Sequence, residues 1–135
     1  MSRIVVPALA LLAPLAGCAT VPDEHAAVPA CPPSRDWHAW IDLMPRPRQD
    51  LGLFVAGQVD VPAGMVAKVR PGPLDKSMPP GQRFALELAR GKGPVGRQIV
   101  AGRVRSTAGL YREIIVGCDG KDIARISGND IETAD

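Results

Sequence analysis

The sequence is short of aromatics, histidines and cysteines. Two Trp, one Tyr and two Phe make up 4% of its 135 residues. A core must therefore be built mainly from Val, Ile, Leu and Ala. There are two histidines, His25 and His38, and three cysteines, with no CxxC and no HExxH spacing. Metal-ligand spacing is thus missing, and no cofactor is implied. The chain also has no P-loop, no dinucleotide fingerprint and no GxSxG elbow. Charge of one sign is missing as well. Sixteen basic residues stand against 14 acidic ones, which argues against general nucleic-acid binding. The apolar run "IVVPALALLAPL", residues 4–15, is shorter than the roughly 20 residues that a bilayer span needs. Pro7 and Pro14 weaken it as a core helix.

That run has another use. Arg3 precedes it, small residues end it, and "LAGC" follows at Leu15 to Cys18. A basic start, a short apolar stretch and small residues describe a secretory signal peptide. The ending resembles the lipobox of bacterial lipoproteins. The resemblance covers residues 1–18 and implies cleavage after residue 17, with diacylglycerol on the Cys18 thiol and acylation of the new amino terminus. Two or more acyl chains hold a protein stably on a membrane. Ala19 stands where an aspartate would favour inner-membrane retention. The resemblance therefore implies an outer-membrane anchor facing the periplasm. "ATVPDEHAAVPA", residues 19–30, has too little apolar bulk to fold and reads as a flexible tether.

Residues 31–132 read as one β domain, with 133–135 as a tail. "CPPSRDWHAWIDLMP", residues 31–45, has Ser34 as a candidate N-cap. Trp37, Trp40, Ile41 and Met44 fall at helical spacing there, which predicts one short helix with a buried face. An exposed pair of tryptophans would instead suggest a sugar or peptide platform. From Leu51 the period becomes two. Strands are predicted over 53–61, 65–70, 83–90, 97–106, 111–118 and 122–127. Residues 71–81 are expected to be a Pro/Gly connection without strand, and Asp119-Gly120 a tight hairpin turn. The expected fold is mainly β: a small sandwich or barrel of about six strands, immunoglobulin-like in architecture, with the short helix at its start. "SRDWHAWIDLMP" followed by an all-β segment also resembles small lipoproteins of proteobacteria, which implies compartment and size but no activity.

With Cys18 on lipid, Cys31 and Cys118 remain for an oxidising compartment, where a disulfide is the simplest pairing. Arg90, Lys92, Arg97, Arg103 and Arg105 form a basic strip with no acid among residues 90–105. Such a strip can meet lipid phosphates or acidic wall groups, or can guard a sheet edge against pairing. Three functions fit: a non-catalytic envelope module that binds a protein or cell-wall partner, an inhibitor that offers loop 71–81 to a secreted hydrolase, and an enzyme using His38 oriented by Asp42. The first fits best.

Overall fold

The computed structural model describes residues 31–44, 51–106 and 108–134. The signal segment, Cys18 and the tether lie outside the described residues. Eight strands form two mixed four-stranded sheets. In chain order they are β1 (Ser34–Asp42), β2 (Gly52–Val61), β3 (Met65–Leu74), β4 (Gly81–Arg90), β5 (Gly96–Arg105), β6 (Glu113–Cys118), β7 (Lys121–Ser127) and β8 (Glu132–Ala134). One sheet has the order β5-β2-β1-β8 and the other β3-β4-β6-β7. Two pairings are parallel, β1 with β8 and β4 with β6; the rest are antiparallel. The result is sandwich-like, as expected, with a core of Leu53, Val55, Val59, Phe84, Leu86, Ile114 and Val116 between the sheets.

The alternation that marked β2 and β4 holds on their core faces, whereas β6 buries Ile114, Ile115 and Val116 in succession. Leu53, Val55, Val59 and Val61 are buried, as are Phe84 and Leu86. The Asp119-Gly120 turn joins β6 to β7 with positive φ at both residues, 48° and 74°. That is the type I′ geometry, whose twist suits a two-residue hairpin.

Three expectations need correction. The segment expected as a helix is strand β1, and among the described residues there is no α-helix, only a 3-10 turn at Gly128–Asp130. A bulge at Asp36 and Trp37, with Asp36 at φ 54°, breaks the register with β2 between Arg35 and His38. It sets Trp37 over Gly57, where a Cβ would lie 2.4 Å from the indole. Trp37 and Ile41, four residues apart, share a face in a strand as well as in a helix, so the spacing of the segment imitates a helical stripe. Trp37 packs on the core. Trp40 points to the other face, and Met44 is exposed. The helical stripe therefore does not exist as a buried face.

The second correction concerns β3, which runs through Pro71, Gly72 and Pro73 to Leu74. It is an edge strand, so a proline lacking N–H loses no ladder partner on its open side. The connection is only the segment from Asp75 to Pro80. The third concerns the tail, which supplies β8, a short parallel strand beside Trp40, Ile41 and Asp42.

Register fixes two poles. One end of the sandwich holds Ser34, Val61, Gly96, Met65, Arg90 and Cys118. The other holds Asp42, Gly52, Arg105, Leu74, Gly81 and Glu113. Cys31 and Cys118 lie at disulfide distance, with Cα atoms 5.8 Å apart. The chain therefore enters the described domain at the first pole.

Candidate functional site

Two groups of side chains stand out, one on a sheet face and one at the second pole. On the outer face of the β5-β2-β1-β8 sheet, register aligns Arg103, Phe54, Trp40 and Glu132 in one row. The Trp40 and Phe54 rings stack with centroids 5.2 Å apart and planes 5° apart. His38 stacks on Trp40 at 5.4 Å, and the Arg103 guanidinium lies 5.2 Å from the Phe54 centroid. The rings form a column across the strands, ended by a cation that favours the electron-rich ring face. Because the faces cover one another, the column presents ring edges rather than an open plane. A shallow depression of about 290 Å³ lies beside it, between His38, Trp40 and β8.

The second group is built by Asp75. Its Oδ1 accepts the Ser77 N–H at 2.9 Å and the Gly81 N–H at 2.8 Å. The Ser77 hydroxyl lies 2.5 Å from the same oxygen and 2.9 Å from the Pro79 carbonyl, its single proton serving one at a time. Arg112 reaches Oδ2 at 3.0 Å, and its own N–H donates to the Pro80 carbonyl. A short loop is thus braced from inside by one carboxylate, in the manner of an Asx turn. Its tip is Met78, 93% exposed. Across from it lie Ala108, Gly109 and Leu110, the last 74% exposed. Between Met78–Pro80 and Ala108–Leu110 runs an apolar groove of about 560 Å³.

Hydrogen bonding from Ser77, then from the Gly81 and Ser77 amides, lowers the Asp75 pKa from 3.8 to about 2, with Arg112 adding a smaller pull. A lowered carboxylate pKa supplies stability that is present above the unfolded value and lost as pH falls through the folded one. The loop is therefore expected to keep its shape at pH 4 and to open as pH falls towards about 2. The Ser77 and Gly81 amide resonances should report that transition, and Asp75→Asn should abolish it. A midpoint at the ordinary carboxylate value would show that the brace does not form.

The residues singled out in the sequence are distributed as follows. Cys18 lies outside the described residues. Cys31 and Cys118 come together. The basic strip is divided along the length of β5. Arg90 and Lys92 lie at the β4–β5 connection, with Arg97 at the start of β5, while Arg103 and Arg105 are near its end. Arg97 sits 3.6 Å from Asp60, so the five charges do not make one patch. His38 and Asp42 lie four residues apart on an extended strand, about 13 Å along it. Asp42 Oδ1 instead accepts the Met44 N–H. The orienting pair sought for an enzyme is therefore not formed. Among the described residues, no three His, Cys, Asp or Glu gather as metal ligands, and no helix is long and apolar enough to cross a membrane.

Sequence reasoning missed the Asp75 brace and the Phe54–Arg103 contact. "DKSMPPG" held the first signal: an Asx-forming residue two before a serine and just ahead of two prolines. The second needed the β2–β5 register, which no local pattern carries. Compared with protein-family models, with curated proteins and with solved structures, the chain finds no match in any of the three.

Proposed function

We propose that this chain is a lipid-anchored protein of the bacterial cell envelope, whose β domain works as a non-catalytic binding module. The observation that carries the reading is "LAGC" at the end of a short apolar run behind Arg3. A cysteine placed there ends membrane insertion where an acyl anchor begins. The pairing distance of Cys31 and Cys118 supports an oxidising compartment. Ala19 after the cysteine favours the outer membrane, with the domain facing the periplasm.

The inhibitor reading is second, and one observation favours it. Loop 75–81 is held by Asp75 so that Met78 stands out of the surface. A preordered loop loses little conformational freedom on entering a cleft.

Anchoring is tested by Cys18→Ala. The variant should take up no labelled fatty acid and should leave the membrane fraction. Continued acylation of that variant would refute the lipobox reading.

A further inference from the structure

The outer strands of the two sheets are β5, β8, β3 and β7. Three of them carry a feature that discourages pairing with another chain. β3 contains Pro71 and Pro73, and its register with β4 shifts between Pro71 and Leu74. β7 is seven residues long, and its register with β6 shifts between Val116 and Gly117. β8 is three residues long. β5 has none of these devices. Its ten residues, Gly96–Arg105, hold no proline and pair with β2 without a break. Along its far side, every second residue turns a backbone N–H and C=O away from the sheet.

We propose that this edge of β5 takes an extended, acidic segment of a partner protein as an added strand. The proposal names a partner class for the binding-module reading and rests on it.

Three observations select that occupant. First, the arginines of β5 do not cover its edge. Arg97 lies 3.6 Å from Asp60, and the Arg103 guanidinium lies 5.2 Å from the Phe54 ring centroid. Asp60 and Phe54 both belong to β2, so both arginines lean back over their own sheet. Ile99, between them, is 79% exposed. A row of open backbone groups is matched by the backbone of another strand. Second, the charge is of one sign and has the period of a strand. β5 carries three arginines and no acid. Arg97, Ile99, Ala101, Arg103 and Arg105 are exposed on one face at every second position. A groove of about 520 Å³ separates Gln98–Ala101 from Ala67–Arg70 of β3, which adds Lys68 and Arg70 to its border. The nearby acids, Glu87 and Asp60, meet Arg70 and Arg97 and are outnumbered. Cations spread along a strand, rather than gathered in a patch, suit a ligand that is itself extended. Acids at alternate positions of an added strand would lie opposite them, a favourable cross-strand arrangement. A polymer of sugar acids or phosphates answers the charge but not the row of N–H and C=O groups. Third, a second copy of β5 answers it poorly. In the face-matched antiparallel registers centred on Val100 or Ala101, Arg97 stands opposite Arg103 or Arg105. Like charges directly opposite destabilise a pair.

The test uses the full-length lipidated protein in detergent, with backbone amide exchange followed by NMR. The probes are a short peptide alternating Glu with Val, the same peptide with Lys for Glu, and the Glu peptide N-methylated throughout, which cannot donate to a strand. The Glu peptide should slow alternate amides between residues 97 and 105 about tenfold at about ten times its Kd. It should leave the β7 amides unchanged, and the other two peptides should have no effect. Lys68→Glu combined with Arg103→Glu, at two exposed positions, should transfer the preference to the Lys peptide. No slowing with any probe would show a guarded edge. Equal slowing by the methylated peptide would show charge attraction without strand pairing. Equal protection of the same amides by dextran sulfate would show a site for anionic polymers. Slowing that rises with protein concentration and needs no peptide would show a second copy of this chain. Each of these results overturns the proposal. An envelope protein photo-crosslinked from another face of the domain, with β5 indifferent to the peptides, would refute this site and leave the binding-module reading standing.

Discussion

Phe84→Ala is expected to lower the melting temperature by more than about 10 °C. Phe84 is 2% exposed and occupies the middle of β4, paired with Pro71 on one side and Val116 on the other. Its ring crosses the interior towards the facing sheet. A Cβ at Gly102 on β5 would come within 3.1 Å of it. With five aromatics in the whole chain, aliphatic neighbours must fill what the ring leaves, and a close-packed interior relaxes only in part. Truncating a buried Phe costs about 3 to 5 kcal/mol, through lost transfer energy and the residual cavity. Domains of this kind have about 5 to 15 kcal/mol in all. Each kcal/mol moves the midpoint of a domain near 100 residues by about 4 to 8 °C. Thermal unfolding followed by circular dichroism checks the value, and Phe84→Leu, which keeps most of the volume, should lose much less. Trp40→Ala supplies the contrast. Its indole lies outside the sandwich, stacked between His38 and Phe54, so its removal breaks ring contacts without opening the core. A loss at Trp40 equal to that at Phe84 would mean that the aromatic column, not the inter-sheet packing, carries the stability.

The elements that were legible in the sequence are those with an unbroken period of two. β4 alternates most cleanly, Phe84 and Leu86 meeting the core and Arg83 and Glu87 meeting water, and β2 keeps the same period on its core face. Asp119-Gly120 was legible because only a few residue pairs accept two positive φ values. β1 was not. Trp37 and Ile41, four apart, share the inward face of a strand as they would of a helix, while Trp40 faces out. Over so short a window that arrangement has the same spacing as a helix face. β8 was missed because three exposed residues have no pattern of their own; they become a strand only because β1 offers a free edge. The candidate site divides in the same way. A Pro/Gly loop at 71–81 was visible as composition. Its bracing by Asp75, and the arrival of Leu110 beside Met78, depend on the parallel β4–β6 pairing that brings Gly81 next to Glu113. Pairing between distant strands is set by tertiary packing, so a single sequence shows it only as compatible alternation.

Removing the link between Cys31 and Cys118 is the other change expected to act strongly. The two cysteines are separated by 87 positions, so the bond closes a loop of most of the domain. On the chain-entropy model, closing a loop of that size is worth about 4 to 5 kcal/mol, by restricting the unfolded chain. The position adds to that. Cys118 ends β6 in one sheet, and Cys31 stands just before β1 in the other. The bond therefore ties the two sheets together at the pole where the chain enters. The bulge at Asp36 and Trp37 follows within a few residues, and there the β1–β2 ladder is interrupted. A strand that begins with a break in its ladder gains most from a fixed start. The double variant Cys31→Ala, Cys118→Ala should shift the urea midpoint strongly downwards and steepen the slope, because the unlinked unfolded chain exposes more surface, and wild-type protein in reductant should behave like it. In protein isolated under non-reducing, acid-quenched conditions, neither thiol should react with an alkylating agent. Free thiols at both positions, or a variant as stable as the wild type, would show that the sandwich holds its first strand without the bond. In that case Trp37 over Gly57, together with the buried Ala39 and Ile41, would be what seats β1 in its sheet.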